Sequence, residues 1–407
     1  MKTDLQKTPY YLLDEAECIN RTKCIKKEIT AWGGKICYAI KANPFLIPSL
    51  LHVVDKFEVC SPGELQICKK YGVPGNMILF SGVVKTKQDI TEALAYPVDV
   101  ITLESLTHWK YLKECLNEST KEIEIVRIMP RLSNGAQFGM EEEQIYSVLE
   151  EQKTMEQIKV EGIHYFTGTQ KKGNKYEKEL KKVAELIDNI RSKYGFEEFV
   201  LEYGPGLSVP YFTGDDFTNP YGLIRDLKEF ILKESYSFRV DIELGRYIAA
   251  SCGKYVTNIV DIKKSEERNY CLIDGGIHHI NYYGSNMAMR TPVITHVACK
   301  DTDEEIKVSD DLTANTEAME YMICGSLCTF ADIVVRGLPL KAPKIGDSLI
   351  FENIGAYSIT ESSYLFLSRN LPGIYMKKTD GQIITLRDEM PSFEINSVKG
   401  LEVNEKV

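Results

Sequence analysis

The sequence predicts a (β/α)8 barrel, a TIM-like α/β fold, followed by an all-β region, and two features of its hydrophobic pattern carry this prediction. Between residues 36 and 244, short apolar runs alternate with longer amphipathic segments. After Gly245 the long amphipathic segments stop, and patterns of strands and turns continue. Alternating strands and helices indicate a parallel sheet, and eight repeats over about 210 residues are typical of a closed barrel. The eight runs are ICYAI (36–40), FEVC (57–60), MILFSG (77–82), VDVITLE (98–104), IEIVRIM (123–129), VEGIHYF (160–166), FVLEYG (199–204) and FRVDIEL (238–244).

The segments between and after these runs predict two domains. GELQICKKYG, KTKQDITEALAY and EKELKKVAELIDNIRSKYG carry apolar residues at helical spacing, and the last ends in a glycine. We predict that the barrel covers residues 31–250. Residues 1–30 and 251–407 are predicted to form a β-sheet domain, in which the strand-like YYLLD pairs with the C-terminal sheet. Its other predicted strands are KYVTNIVDI, NYCLIDGG, TPVITHVA, EEIKVSD, EYMICG, DSLIFENIGAY and GIYMKK.

Composition indicates a globular protein and excludes several partners. The 407 residues suggest about two domains. A net charge of -10 without a basic block argues against nucleic acid or an anionic membrane as partner. The N-terminal sequence lacks the apolar core of a signal peptide, and no run approaches a membrane span, so we expect a cytoplasmic protein. Eleven cysteines without a CxxC pair are typical of reduced thiols, and their spacing predicts no metal site.

Candidate functional residues cluster at the C-terminal ends of the predicted strands. In a barrel of this kind the active site is built from the C-terminal ends of the strands and the loops that follow them. A single lysine in CYAIKANP (37–44) lies at such an end, where the chain is about to leave the core. The residues at the strand ends are Lys41, SPGE (61–64), SG (81–82), HYFTGT (164–169), GPG (204–206), Glu243 and Arg246.

These residue types together describe a site for a phosphorylated aldehyde. The GPG and GT segments offer backbone amides to an anion, and Arg246 adds a positive charge. A lysine at the mouth of a buried strand can become a nucleophilic amine when desolvation favours its neutral form. A phosphorylated aldehyde that a lysine holds as a Schiff base is pyridoxal 5′-phosphate. Taken singly, GPG is also a common turn, and Glu243 with Arg246 is also compatible with a structural ion pair.

Six motifs, in their order and approximate spacing, resemble the barrel-type pyridoxal-phosphate decarboxylases. They are YAIKAN (38–43), SPGEL (61–65), GPG (204–206), ELGR (243–246), CGSLCTFAD (324–332) and NIGAY (353–357). This family includes diaminopimelate, ornithine and arginine decarboxylases, and the resemblance covers nearly the whole chain. It implies an alanine racemase-like barrel with a C-terminal all-β domain, the cofactor pyridoxal 5′-phosphate and an amino-acid substrate.

The resemblance also implies roles for single residues. Lys41 would bond to the aldehyde of the cofactor, and Glu243 would lie beside its pyridine nitrogen and keep the ring protonated. Cys328 would enter from the partner subunit and protonate the carbanion left by loss of carbon dioxide, so that a homodimer shares two active sites. The other residues assigned to cofactor binding are His164, Phe166, Thr169, Gly204, Gly206, Arg246 and Tyr357.

Three positions depart from the family pattern. Phe166 stands where a histidine usually stacks on the cofactor ring, and a phenyl ring packs there without donating a hydrogen bond. Gln137 replaces the usual lysine of a KFG segment, so an interface ion pair with Asp332 is expected to become a neutral hydrogen bond. Thr329 replaces the acid that meets the distal ammonium of ornithine or diaminopimelate. A buried ammonium without that acid would be poorly compensated, at a cost of about 2–5 kcal/mol.

The departures favour a particular substrate class. GIHYFTGTQ, LIDGGIHH, QFGM and LCT resemble a smaller branch that includes the glutamyl carrier-protein decarboxylase of butirosin biosynthesis, and LCT also occurs in a citryl-diaminopropionate decarboxylase. We therefore expect an amino acid whose distal end is acylated or tethered to an acyl carrier protein, in natural-product biosynthesis. Thr329, His278 and His279 are the predicted substrate contacts. Two adjacent histidines would point different ways on a strand and have no evident carboxylate partner, which argues against a metal site there. We predict that both are loop residues near the mouth of the active site.

Three alternatives remain. Diaminopimelate decarboxylase of lysine biosynthesis is the main one, and Thr329 and Phe166 argue against it. A racemase of the same barrel type would normally lack the CGSLC segment and would carry an arginine, not Glu243, beside the ring nitrogen. A catalytically silent relative that regulates a decarboxylase or a carrier protein would have no need of Lys41 and Cys328, which are both present.

Overall fold

The computed structural model describes residues 7–119, 125–282, 288–299, 305–307 and 318–398. The chain divides into two compact units. The first comprises Cys18–Val209 and Phe217–Ile248, and the second comprises Met1–Glu17, Pro210–Asp216 and Ala249–Val407. Among the described residues, no helix is long and apolar enough to cross a membrane. All eleven cysteines are free thiols.

The first unit is built around a parallel sheet. The chain begins with strand β1 (Tyr10–Asp14), which belongs to the second unit, and helix α1 (Glu15–Thr30). Nine parallel strands follow, in the spatial order β7-β6-β5-β4-β3-β2-β10-β9-β8. They are β2 (Ile36–Ala39), β3 (Lys56–Val59), β4 (Ile78–Phe80), β5 (Val100–Leu103), β6 (Val126–Pro130), β7 (Ile158–Val160), β8 (Gly162–Phe166), β9 (Val200–Gly204) and β10 (Arg239–Leu244).

Strand β8, at one edge of this sheet, meets the chain just after β6, near the other edge, so the sheet is nearly closed into a barrel. Arg131, just after β6, forms a parallel bridge with His164 of β8. The amide of Leu132 donates to the carbonyl of His164 at 2.9 Å. The predicted barrel fold is therefore confirmed. The predicted sixth strand is two short strands, because Glu161 separates β7, which pairs with β6, from β8, which pairs with β9.

Helices alternate with the strands as the sequence pattern predicts. Thr86 and Asp89 form a capping box at the start of α4, and Gly195, with a φ of 72°, ends α7 in the left-handed conformation that glycine tolerates. The helices are α2 (Ile47–Leu50), α3 (Pro62–Lys70), α4 (Lys87–Ala95), α5 (Leu106–Glu118), α6 (Glu142–Gln152), α7 (Lys175–Tyr194), α8 (Gly222–Glu234) and α9 (Arg246–Ala249).

The second unit is a mixed β-sheet. Strand β1 pairs antiparallel with β11 and parallel with β18, so YYLLD does join the C-terminal strands. A branch of this sheet runs from β11 through β12 and β15 to β16. The strands are β11 (Gly253–Ser265), β12 (Arg268–Ile273), β13 (Ile294–Val297), β14 (Glu305–Lys307), β15 (Met319–Cys324), β16 (Ile333–Leu340), β17 (Ser348–Phe351), β18 (Gly373–Lys377) and β19 (Ile383–Arg387), with one short helix, α10 (Ser358–Glu361).

Two strands of this unit were not predicted from the sequence. β16 contains Gly337 and Pro339, which read as turn residues, and β19 is a short run beside a turn. Each pairs with a single described neighbour, β15 or β18. An edge position tolerates proline and glycine, because one side of the strand needs no ladder hydrogen bonds. Parts of the predicted strands IEIVRIM and EEIKVSD lie outside the described residues.

Candidate active site

Lys41 lies at the C-terminal end of β2, as predicted. The strand passes into a 3-10 turn, Ile40–Ala42, that carries the lysine out of the barrel core. Its Nζ donates a hydrogen bond to Glu58 Oε2 at 2.7 Å and lies 3.5 Å from Glu243 Oε1. The side chain is 35% exposed, whereas both carboxylates are buried. The amine is therefore reachable from outside the barrel and is held by two acids from within.

Glu58, the nearer of these acids, was missed by the sequence analysis. It lies on β3, and Ala39 of β2 is its register partner. Cys60 Sγ donates to Glu58 Oε1 at 2.9 Å and accepts from Lys41 Nζ at 3.4 Å. Burial and the Glu58 carboxylate raise the pKa of the Cys60 thiol, which keeps it protonated as a donor. The available signal was its position three residues before the SPGEL motif, on the strand that follows Lys41 in the sequence.

Glu243 and His164 form a buried pair at the ends of β10 and β8. The Nε2 of His164 donates to Glu243 Oε2 at 3.1 Å. Burial alone would raise the pKa of the Glu243 carboxyl, but the Lys41 ammonium and the bond from His164 hold it well below its usual range. Among the described residues, the buried Nδ1 of His164 has no hydrogen-bond partner. The site thus contains the ionised carboxylate of Glu243 beside the amine of Lys41.

Glu202, on β9, is a second acid that the sequence analysis missed. It is the register partner of both His164 and Asp241 and is fully buried. Burial, and next the charge of Asp241, raise its pKa well above the usual range. Neither carboxyl oxygen has a hydrogen-bond partner among the described residues. A neutral acid therefore lies in the barrel near the ionised Glu243.

The glycine segments after β8 and β9 are pressed together. Gly206 has a φ of 58°, and a Cβ there would lie 1.8 Å from the carbonyl oxygen of Gly168. The amide of Lys171 donates to the carbonyl of Gly206 at 2.9 Å. Phe166 packs over Gly204, where a Cβ would lie 2.4 Å from its ring. The two segments form a cradle of backbone at the same end of the barrel as Lys41, with Thr169 exposed beside it.

Two buried cations at this end of the barrel were also missed. The Arg131 guanidinium lies 5.9 Å from the ring centroid of Phe166 and donates to Glu104 at 2.9 Å. Lys85 Nζ donates to the carbonyl of Gly82 at 2.6 Å. Burial lowers the pKa of Lys85 to about 8. Lys85 lies in the loop after β4, and Arg131 lies directly after β6. No sequence motif marks either residue.

The remaining predicted residues lie in separate parts of the chain. Arg246 is buried at the start of α9, and Tyr357 is half-buried before α10 with a φ of 68°. Cys328 and Thr329 are exposed, and Phe330 between β15 and β16 is fully exposed. Gln137 is exposed in the loop after β6. The roles assigned to these residues stay predictions.

His278 and His279 are buried in the second unit. Their rings lie against each other with centroids 3.7 Å apart. Both residues lie in a turn after β12, so they are loop residues as predicted. The Nδ1 of His279 lies 2.9 Å from the hydroxyl of Tyr255. No group of three or more potential metal ligands occurs in the described part of the chain. Their contact with substrate stays a prediction.

Comparison with known proteins identifies this arrangement. The family model described as "Pyridoxal-dependent decarboxylase, pyridoxal binding domain" matches residues 15–250, more than half of the chain. The chain belongs to the pyridoxal-dependent decarboxylase family. It is a lyase that uses pyridoxal 5′-phosphate to decarboxylate an amino acid.

Individual relatives are more distant. The L-glutamyl-[BtrI acyl-carrier protein] decarboxylase of Niallia circulans is 28% identical, over 93% of this chain and 91% of that protein. The 2-[(L-alanin-3-ylcarbamoyl)methyl]-2-hydroxybutanedioate decarboxylase of Staphylococcus aureus is 27% identical, over 84% of this chain and 88% of that protein. The diaminopimelate decarboxylase of Aquifex aeolicus is 24% identical, over 94% and 89%.

Solved structures support the fold. The diaminopimelate decarboxylase of Helicobacter pylori, crystallised with L-lysine, superposes on this decarboxylase with a TM-score of 0.80. The match covers 96% of both chains at 20% identity. At this identity the likeness concerns the fold alone. The barrel and the β-sheet unit are thus both present in a known member of the fold.

Proposed function

We propose that this decarboxylase removes the α-carboxylate of an L-α-amino acid whose distal end is acylated or tethered to a carrier protein. The observation that carries the proposal is Thr329, an uncharged residue beside the predicted proton donor Cys328 in an exposed segment. A substrate with a distal ammonium would need a carboxylate partner there, and none follows the cysteine. The Niallia circulans and Staphylococcus aureus relatives, named for a carrier-bound and a modified amino acid, support the same class.

The residues at the barrel end fit pyridoxal 5′-phosphate. The amine of Lys41 is accessible, so it can bond to the aldehyde, and the cradle of Gly204 and Gly206 offers close approach to backbone for the phosphate. Glu243 is an ionised carboxylate, which suits a partner for a protonated ring nitrogen. Phe166 offers an aromatic face. When bound, the cofactor supplies a sink for the electron pair left by departing carbon dioxide.

Further residues are proposed to complete the binding site. His164 orients Glu243 through its hydrogen bond, so its part in cofactor binding is indirect. Arg246 supplies a cation for the phosphate, as the ELGR motif implies. Thr169 and Tyr357 are proposed to add hydroxyl donors to the same phosphate.

Two side chains, Lys41 and Cys328, are the proposed candidates for delivering a proton to Cα. Glu58 fixes the Lys41 amine by accepting its hydrogen bond at 2.7 Å, and the Cys60 thiol fixes the other oxygen of Glu58. The bond from Cα to the carboxylate carbon breaks, and Cα then gains a proton. We propose that Cys328 Sγ of the partner subunit delivers this proton, since the thiol is exposed on the surface of its own chain. The enzyme would then act as a homodimer with shared sites.

Decarboxylation of diaminopimelate is the second candidate. The Aquifex aeolicus relative, which covers 94% of this chain, favours it. Thr329 argues against it, because the distal ammonium of diaminopimelate would lack its acid.

The test is carbon dioxide release by cofactor-loaded enzyme. Free diaminopimelate, ornithine, lysine and arginine are compared with L-glutamate tethered to an acyl carrier protein and with glutamyl-pantetheine thioester. We expect turnover of the tethered forms and at least about tenfold lower kcat/KM for every free diamino acid, equivalent to 1.4 kcal/mol. Preference for free diaminopimelate would overturn the proposal in favour of the second candidate.

A further inference from the structure

Helix α7 begins with an unusual concentration of lysines. Six lysines and two glutamates occur between residues 171 and 182. Lys175, Lys178 and Lys182 have the spacing of one helical face, and Lys172 precedes them in the loop. All four side chains are exposed. We call these four residues, Lys172, Lys175, Lys178 and Lys182, the lysine stripe.

Among the residues that the structure describes, the stripe lysines lack ion-pair partners, unlike other lysines of the same helix. Within the described residues, none of its four members forms an ion pair. Lys181 pairs with Glu234 at 3.5 Å, and Lys193 pairs with Glu150 at 3.3 Å. Glu179, which lies one turn from Lys175, accepts instead from Lys171 at 2.7 Å and from a tyrosine hydroxyl. The four ammonium groups of the stripe are therefore not engaged by carboxylates of the described residues.

This arrangement is unfavourable for the helix itself. The N-terminal end of a helix carries a partial positive charge, so Lys175 and Lys178 in the first turns are repelled by it. Lys178 and Lys182, four residues apart, also repel each other. Each effect slightly disfavours the helix. Acidic residues would be preferred at these positions if the surface only faced water.

The stripe lies at the catalytic end of the barrel. Lys171 is hydrogen-bonded through its amide to Gly206, in the proposed phosphate cradle. Lys172 follows Thr169 by three positions, a span of at most about 10 Å. The lysine stripe thus starts beside the segments that surround the entrance to Lys41.

We propose that the lysine stripe docks an acidic carrier protein that presents the tethered amino acid to the active site. This inference rests on the proposed function. The chain as a whole has a net charge of -10, so an acidic partner would be repelled by most of its surface and attracted at the stripe. A carrier docked there needs only a flexible arm to deliver its amino acid to the strand ends. Charge complementarity of this kind sets orientation and association rate.

A matched pair of double variants tests the stripe. Lys175→Glu/Lys178→Glu reverses two of its charges. Lys23→Glu/Lys27→Glu reverses two exposed lysines of α1, in the half of that helix that leads into β2 at the opposite end of the barrel. The stripe change replaces cations by anions at a helix N-terminus, so it should not destabilise α7. A single cooperative thermal unfolding transition in each variant would verify folding.

Each enzyme is assayed with glutamate on an acidic acyl carrier protein and with glutamyl-pantetheine thioester. For the stripe variant we expect KM for the carrier-borne substrate to rise about tenfold or more, and kcat/KM for the thioester to change less than about twofold. For the control variant neither should change beyond twofold. Added salt should raise KM for the carrier-borne substrate of the wild-type enzyme and not that for the thioester.

Other outcomes overturn the inference and separate it from the proposed function. If the wild type and the stripe variant use the carrier-borne substrate equally, the docking surface is wrong and the proposed function stands. If the wild type uses free diaminopimelate and neither tethered substrate, both are wrong. Stripe-dependent binding to vesicles containing anionic lipid, with unchanged carrier kinetics, would assign the lysine stripe to a membrane surface and overturn the docking proposal.

Discussion

His164 donates a hydrogen bond to Glu243 across 3.1 Å in a part of the barrel that almost excludes water. The bond matters because burial alone would favour the neutral acid, whereas His164 and the Lys41 ammonium keep the carboxylate ionised. The ionised form is the one that can accept a hydrogen bond from a protonated ring nitrogen. The barrel therefore holds an ionised carboxylate, as the proposed role of Glu243 beside a protonated ring nitrogen requires.

The low pKa of Glu243 predicts a pH-dependent contribution to stability. We expect Glu243→Gln to lower the free energy of unfolding of the cofactor-free protein by about 1.5–3 kcal/mol at pH 7. The folded-state pKa is depressed, so the contribution is present above the unfolded pKa of about 4.3 and is lost as pH falls through the folded value. In urea denaturation, the difference between the two proteins should shrink below about pH 4. A difference that does not vary with pH would contradict this assignment.

Glu202 predicts the opposite behaviour. Its pKa is raised in the folded state, so the folded protein resists ionisation and loses stability as pH rises above the unfolded pKa. Glu202→Gln removes the ionisation, and it should be more stable than the wild type at pH 8 and nearly equal at pH 4. Each unit of pKa shift corresponds to about 1.36 kcal/mol. Denaturation at both pH values would check this, and a variant that is less stable at pH 8 would refute it.

The sequence predicted the residues that a motif marks at the ends of the barrel strands, and it missed two acids on the strands that no motif marks. Lys41 and Glu243 stand at the ends of apolar runs, and the ends of parallel strands meet at one end of a barrel. Glu58 and Glu202 lie on strands, and their inward direction depends on the register between strands. The pairing of Glu58 with Ala39 settles that register, and sequence periodicity does not contain it. Glu58 could therefore be identified as a site residue only from the fold.

The loop cations illustrate a second limit of sequence reasoning. Lys85 is fully buried by packing around Gly82 and Thr102, yet its local sequence, VVKTKQ, reads as an exposed helix start. Burial of a loop side chain depends on tertiary contacts that local propensity does not encode. The barrel itself was predictable because the alternation of strand and helix patterns is repeated eight times, so single local ambiguities did not change the fold class.

The close approach of Gly206 to Gly168 predicts a specific loss of cofactor binding. Gly206→Ala would place a methyl group 1.8 Å from the Gly168 oxygen and push the two segments apart. We expect affinity for pyridoxal 5′-phosphate, measured by titration of the cofactor-free protein, to fall more than about tenfold, equivalent to 1.4 kcal/mol. Gly173→Ala is the control, since Gly173 has a φ of 69° and open space around it. Gly173→Ala also places a non-glycine residue in the left-handed conformation, at a cost of about 1–2 kcal/mol, but it creates no clash. Equal losses of affinity would show that contact between the segments is unimportant.

Cys328 predicts a separation of cofactor binding from turnover. Cys328→Ala should retain the cofactor and lower kcat by about 10²–10⁴-fold, the usual contribution of a positioned proton donor. Cys324→Ala, which changes a half-buried thiol of β15, should retain most activity. If sites are shared, a refolded equal mixture of Lys41→Ala and Cys328→Ala should recover about a quarter of wild-type activity, because half of the dimers then hold one intact site. No recovery would place both residues in one chain's site.

Thr329 predicts that substrate preference can be reversed by one charge. Thr329→Glu restores an acid beside Cys328, so a distal ammonium gains a partner, and kcat/KM for diaminopimelate should rise at least about tenfold. Thr329→Gln has nearly the same size without the charge and should give no such rise, which separates electrostatics from volume. Turnover of carrier-tethered glutamate by Thr329→Glu should fall. The γ-linked end of this substrate has no cation to pair with the new carboxylate. If Thr329→Glu and Thr329→Gln behave alike on diaminopimelate, residue 329 does not meet the distal end of the substrate, and the substrate class must be set elsewhere.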